Sequence, residues 1–242
     1  MSSNPMLNSR VSENVILEGR PMTVAGAITK TSILLGIVVL VAYYAWTICA
    51  NGFADKANLL LIIGAIAGFI LAIITSFSPK ASPITAPAYA LCEGLVVGVI
   101  SYAYGSAFDG IVFNALGITI LALFAMLFLY RTGVIKATPT FRKVLFITTA
   151  AVAIFYLVGF IGALMGHPMT IFNGGMLGIG VSALICAIAA FNFVIDFDFI
   201  EQGEKNMLPD YFEWYGAFGL LVTLVWLYLE VLRLLAQLQR RD

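Results

Sequence analysis

Four acidic side chains lie within stretches of sequence that are otherwise apolar enough to be buried in lipid: Glu93, Asp196, Asp198 and Glu230. A charge at the centre of a bilayer costs about 2.5–3.5 kcal/mol on insertion scales, so such residues are expected to face a helix-bundle interior or a hydrated cavity. Carboxylates in that setting can bind or transfer cations and protons. These four residues are therefore candidates for an ion pathway or a pH sensor.

The composition predicts that membrane-spanning helices carry these acids. Hydrophobic residues make up 61% of the 242 residues and charged residues 11%, against roughly 25% charged residues in soluble domains. Seven apolar runs of about 20 residues are each long enough for a helix to cross about 30 Å of hydrocarbon. The runs are apolar on every face, so the sequence predicts an all-α polytopic membrane protein, a seven-transmembrane-helix bundle. The predicted spans are Thr31–Ala50, Asn58–Phe77, Ile84–Tyr104, Val112–Tyr130, Val144–Leu164, Met176–Asp196 and Tyr215–Leu235.

The distribution of positive charge predicts the topology. Residues 1–28 are polar and are expected to form a cytoplasmic tail, followed by one membrane domain over residues 29–242. Nine basic residues flank the spans on the side of the N-terminus, whereas the opposite loops hold only Lys56. Because positive charge is enriched on the cytoplasmic side of a membrane protein, we expect the N-terminus to be cytoplasmic. The expected location is the inner or plasma membrane. Seven crossings then put Arg240 and Arg241 outside, unless the last segment does not fully cross. The nine are Arg10, Arg20, Lys30, Lys80, Arg131, Lys136, Arg142, Lys143 and Lys205.

Two pairs of glycines suggest where helices pack closely. Gly64 and Gly68 are four residues apart in the second span, and Gly94 and Gly98 are four apart in the third. This spacing puts both small residues on one helix face and lets two backbones approach. The alternative is chance, because glycine is common in membrane helices.

Several kinds of chemistry are not expected from this sequence. His167 is the only histidine, it is predicted to lie in an external loop, and the chain holds no HExxH, GxSxG or P-loop motif. The net charge is zero, which does not favour binding to nucleic acid. We therefore expect neither an enzyme nor a bound cofactor; a transported calcium ion would be cargo.

The positions of the acids suggest different roles. Glu93 lies near mid-bilayer, where it must be protonated, hydrated or paired; it could also be a neutral acid that bonds one neighbouring helix. Asp196 and Asp198 point about 200° apart on a helix, so only one can face the core. Glu230 lies near the opposite membrane face from Asp196, which disfavours direct contact, and it could simply pair with Arg233 at i+3.

Three segments around these acids resemble the Bax inhibitor-1 (TMBIM) family, in its bacterial YccA-like branch. Residues Ala88–Ser101 are similar to the third-span signature of that family, and Phe193–Glu201 to its sixth-span aspartate motif. Residues Glu213–Arg233 resemble its last helix. The similarity extends from about residue 25 to the end of the chain.

The resemblance implies a seven-helix bundle with the last helix near its centre. Some members are pH-sensitive calcium leak channels, in which an aspartate on span six pairs with one on span seven. Asp196 matches the first position. For the second, an alignment that preserves both ends of the last helix places Thr223 there, whereas an alignment on the Leu-Tyr-Leu-acid segment places Glu230 there.

Two functions follow as hypotheses. The first is a cation or proton pathway lined or gated by these carboxylates, in which Glu93 and Asp196 could supply two of the several oxygens that calcium requires. The second is a regulatory protein that modulates a membrane quality-control protease through its N-terminal tail. The expected partners are thus the lipid bilayer, calcium or protons, and in the second case the protease. A proton-coupled transporter is disfavoured, because the sequence has no internal repeat.

Overall fold

The computed structural model describes residues 20–166 and 175–240, which form seven long α-helices. All seven are long and apolar enough to cross a membrane, so the predicted all-α bundle is confirmed. A short 3-10 helix, Pro79–Ala81, connects the second and third helices. The helices are α1 (Val24–Ala50), α2 (Ala54–Phe77), α3 (Ser82–Ala107), α4 (Ile111–Arg131), α5 (Pro139–Leu164), α6 (Met176–Lys205) and α7 (Tyr211–Gln239).

Helix α7 is the centre of the bundle. It packs against α1, α3, α4 and α6, and its side chains Leu221, Leu227 and Leu232 are almost completely buried. By contrast, α5 buries only Leu145 and Val152 and lies at the periphery. The central position expected for the last helix is therefore confirmed.

Helix α6 continues nine residues beyond the predicted end of its span at Asp196. The hydropathy of the sequence falls at this point because charged residues begin. The helix nevertheless continues because those charges are matched: Asp198 pairs with Arg142 of α5, and Glu201 pairs with Lys205 across 2.6 Å. Charged residues thus extend the helix beyond the apolar run instead of ending it.

The first helix begins earlier than the sequence suggested. Residues 24–28, assigned above to the polar tail, belong to α1, which begins after the N-cap Thr23. The preceding Met22 is 1% exposed, and its N–H donates a hydrogen bond to Leu208 O at 2.7 Å. Residues 1–19 of the predicted tail lie outside the described residues, as does His167.

The two glycine pairs lie at close helix contacts. A methyl group at Gly64 would come within 2.8 Å of a backbone carbonyl oxygen of α3, and Gly68 faces the same helix. A methyl at Gly94 would come within 2.9 Å of a carbonyl oxygen of α1, and one at Gly98 within 2.8 Å of an α-carbon of α1. At Gly64, Gly94 and Gly98 these contacts leave no room for a methyl group, whereas at Gly68 the nearest atom would be 3.5 Å away, an ordinary van der Waals distance.

Candidate functional site

The acids of the predicted site fall into two groups according to whether a basic side chain neutralises them. Asp198 and Glu230 each form an ion pair, with Arg142 and Arg233 respectively. Within the described ranges, Glu93 and Asp196 form no ion pair. The structure therefore separates two acids that have a basic partner from two that have none in the described ranges.

Asp196 docks against one turn of the central helix. The hydroxyl of Thr223 donates a hydrogen bond of 2.6 Å to Asp196 Oδ2. On the other side of the carboxylate, a methyl at Gly219 would lie 3.3 Å from Oδ1. Gly219 and Thr223 are one helical turn apart and share a face of α7. This geometry places Thr223, and not Glu230, opposite Asp196, in agreement with the alignment that preserves both ends of the last helix.

Glu93, on α3, faces α2 and not the α6–α7 contact. Its Oε2 would lie 3.8 Å from a methyl at Gly68 of α2, and Tyr89, one turn earlier on α3, lies on the same face of the helix. The Tyr89 ring packs edge-on against Phe218 of α7 at a centroid distance of 5.1 Å. Phe218 precedes the glycine that contacts Asp196. The two carboxylates are therefore connected through an aromatic pair and do not share one site.

The described residues contain no resident metal cage. Among them, no three His, Cys, Asp or Glu side chains gather into a group that could hold a metal ion. A single carboxylate offers at most two oxygens, whereas a bound calcium ion takes about six to eight oxygen ligands. Glu93 and Asp196, considered above as calcium contacts, face different helices, so each would meet a cation separately.

Asp198 belongs to a network at the end of α6. It pairs with Arg142, and the Tyr130 hydroxyl donates hydrogen bonds to Asp198 Oδ1 at 3.4 Å and to Glu201 Oε2 at 2.6 Å. The network ties the ends of α4, α5 and α6 together. Asp196 faces α7 and Asp198 does not, as their angular separation on the helix predicts.

Glu230 is held in a second network, between α5 and α7. It is 2% exposed, and it accepts hydrogen bonds from the Tyr156 hydroxyl at 2.6 Å and from Trp226 Nε1 at 3.2 Å. Arg233 Nη1 lies 3.1 Å from its Oε2, so the predicted i+3 pair is present. No hydrogen bond or ion pair in the described part of the chain joins Glu230 to Asp196. The charge of Glu230 is thus matched by Arg233, and Glu230 lies apart from the Asp196 contact.

A third polar cluster, which the sequence did not indicate, lies at the start of α1. The Glu213 carboxylate of α7 accepts hydrogen bonds from the backbone N–H and the hydroxyl of Thr23, at 2.8 and 3.0 Å, and pairs with Lys30. These partners are about 190 residues away from Glu213 in sequence, so no local pattern identifies them. Tyr89 was also missed, although its i−4 spacing from Glu93 could have indicated the contact.

Gly26 provides the space for this cluster, and we expect Gly26→Ala to lower the free energy of unfolding by about 1–2 kcal/mol. A methyl here would overlap the Glu213 carboxyl group. That group is the mobile end of a side chain, so it can move away, at the cost of bonds to Thr23. Unfolding in detergent measures the loss. Gly36→Ala on the same helix meets no atom within 4 Å and should not destabilise; an equal loss for both variants would contradict this role.

No curated protein and no solved structure matches this chain significantly. The sequence profile of the family described as Bax inhibitor 1 like matches residues 4–240. That match covers all seven helices and the turn of α7 on which Asp196 docks. The chain is therefore a multi-pass membrane protein that belongs to the Bax inhibitor 1 like family.

Proposed function

We propose that this protein is a cation leak pathway, with calcium as a permeant ion, controlled by protonation of Asp196. One observation carries the proposal: the Asp196 carboxylate lies at the contact between α6 and the central helix, with a neutral hydroxyl as its partner and no basic side chain paired with it in the described ranges. We further propose that the N-terminus is cytoplasmic and that the protein resides in the inner or plasma membrane.

The missing counter-charge is what makes Asp196 suitable for this role. An ionised carboxylate at membrane level is costly unless a positive charge or water compensates it. Asp198 and Glu230 already have such compensation from arginines. At Asp196 the compensating charge is left to a passing cation or to a proton, and these two compete for the same oxygens.

Thr223 allows the α6–α7 contact to respond to that competition. Its hydroxyl donates to the ionised carboxylate, and such charge-assisted hydrogen bonds are roughly twice as strong as neutral ones. A hydroxyl can also accept from a protonated carboxyl group, so a weaker contact survives after protonation. Lowering the pH would thus loosen the attachment of α6 to the central helix without abolishing it.

Glu93 supplies a second anionic position on the far side of the Tyr89–Phe218 pair. The aromatic rings connect the Glu93 contact to the turn of α7 that holds Asp196. A cation that leaves one carboxylate must pass these rings before it meets the other. We therefore assign the two acids successive roles in the pathway and the ring pair a barrier role between them.

The test is calcium flux into liposomes that contain the purified protein, recorded against pH. We expect Asp196→Asn, which mimics the protonated acid, to fix the flux at the level that the wild type reaches at low pH. We expect Asp196→Asn combined with Glu93→Gln to reduce flux by about tenfold or more, because a unit charge 4 Å from an ion contributes about 4 kcal/mol for each charge on that ion at an effective dielectric constant near 20, and calcium carries two.

The control is Asp109→Asn, which removes an exposed acid in the connection between α3 and α4. This variant should keep both the flux and its pH dependence. Absence of flux at every pH, or a wild-type pH profile in the double variant, would refute the proposal.

A further inference from the structure

A lateral cleft separates α1 from α4 on the surface that faces the membrane. Its volume is about 610 Å³, and α3 and α7 form its floor. The rim is open, with Val39 63% exposed and Leu116 45% exposed, whereas the floor residues Val97 and Val225 are 9% and 7% exposed. The cleft therefore leads from the surrounding hydrocarbon to the central helix.

The cleft is lined by apolar atoms even where its residues carry hydroxyl groups. Ser101 and Tyr228 share a hydrogen bond of 2.7 Å with each other. The Thr119 hydroxyl donates to the backbone oxygen of Ala115 at 2.8 Å. Apart from Tyr43 on the exposed rim, these are the hydroxyl groups of the lining. They are satisfied within the protein, so a polar ligand on the floor of the cleft would lose its hydrogen bonds with water and gain few in return. The lining suits hydrocarbon.

The length of the cleft corresponds to one leaflet of a bilayer. On α4 its lining runs from Val112, at the start of the helix, to Leu123, and on α1 from Leu35 to Trp46. Eleven residues at a rise of 1.5 Å per residue span about 16 Å, close to half of the roughly 30 Å hydrocarbon core. The cleft thus begins at one membrane face and ends near the middle.

We propose that this cleft binds one acyl chain of a phospholipid, from the leaflet on the side of the α1–α2 connection. The cleft is open to lipid, apolar and one leaflet long, and its volume falls within the range of about 300–1,000 Å³ typical of ligand sites. A bound chain would contact Val225 of α7. Thr223 points about 200° away on the same helix, so the chain would touch the face opposite the one that holds Asp196.

Photo-labelling from lipid tests the proposal on the full-length protein. The protein is reconstituted in phosphatidylcholine vesicles that include phosphatidylcholine with a diazirine on one acyl chain. After illumination, mass spectrometry locates the adducts. We expect adducts on Val225 and Val97, which are buried and which a chain reaches through the cleft, together with adducts on exposed residues that any bilayer lipid contacts.

Two matched tryptophan variants distinguish the cleft from general lipid contact. Leu116→Trp fills the cleft at its rim. Leu121→Trp adds the same bulk to the same helix at a side chain that is 70% exposed and does not line the cleft. We expect Leu116→Trp to remove most of the adducts on α7 while those on exposed residues remain, and Leu121→Trp to leave the α7 adducts unchanged.

Three results would overturn the proposal. The first is labelling restricted to exposed residues, with no adducts on α3 or α7. The second is labelling of α7 that persists in Leu116→Trp. The third is α7 labelling that appears only when the protein is diluted in the membrane until copies cannot meet, because that result would assign the cleft to a second copy of the chain.

Discussion

Gly98→Ala is expected to lower the free energy of unfolding by about 3 kcal/mol, at the upper end of the usual effect of overpacking. The added methyl would lie 2.8 Å from both the α-carbon of Ala42 and the Cβ of Ala45. Neither atom can move away alone, because one is backbone and the other is attached directly to it. The methyl must therefore push α1 away from α3 along their whole contact.

The control for this prediction is Gly117→Ala on α4. Gly117 is exposed in the middle of its helix, and a methyl there meets no atom within 4 Å. Removing a helical glycine without a clash is expected to be neutral or to stabilise by up to about 1 kcal/mol. The midpoint of unfolding in mixed detergent micelles measures both variants. If Gly98→Ala were as stable as Gly117→Ala, the close α1–α3 contact would be wrong.

The hydropathy of the sequence was enough to place all seven helices, but not to find their polar ends. Membrane spans are recognisable because every turn must be apolar over about 20 residues. Charged residues at a helix end carry no such signature, since their stability depends on partners elsewhere. Asp198 and Glu201 lie in the part of α6 that prediction omitted, and the pairing with Arg142 that stabilises this part joins positions 56 residues apart.

In the candidate site, too, contacts within one helix could be predicted from the sequence, whereas contacts between helices could not. The Glu230–Arg233 pair follows from spacing on one helix and could be predicted. The contact of Asp196 with Thr223 depends on how two helices are rotated against each other, and only the family resemblance suggested it. Glu93 was identified as an acid in the membrane, but its position against α2, away from Asp196, required the packed structure.

Helix α5 is oriented by polar side chains, which hydropathy does not reveal. Arg142, Thr149 and Tyr156 are spaced by seven residues, so they lie along one stripe of the helix. Each is bonded to α6 or α7: Arg142 pairs with Asp198, Thr149 accepts a hydrogen bond from Asn192 at 3.1 Å, and Tyr156 donates to Glu230. A helix with few buried apolar residues is thus attached through polar contacts at three levels.

The contact of Tyr156 with Glu230 also includes Arg233, and loss of this arginine should cause a second large loss of stability. Arg233→Met is expected to destabilise the protein by about 3–5 kcal/mol, because it leaves the Glu230 charge buried without its counter-charge. The hydrogen bonds from Tyr156 and Trp226 remain, but they do not neutralise the carboxylate. Unfolding in mixed detergent micelles measures the loss.

The double variant Glu230→Gln with Arg233→Met separates the ion pair from the rest of the network. A glutamine can still accept hydrogen bonds from Tyr156 and Trp226 and carries no charge, so the double variant should be more stable than Arg233→Met alone by about 1–3 kcal/mol. Because Arg233 already matches the charge of Glu230, calcium flux per folded protein should be unchanged in Glu230→Gln, unlike in Asp196→Asn. A well-folded Glu230→Gln protein that had lost its flux would instead place Glu230 in the cation pathway and contradict the division of the acids into paired and unpaired groups.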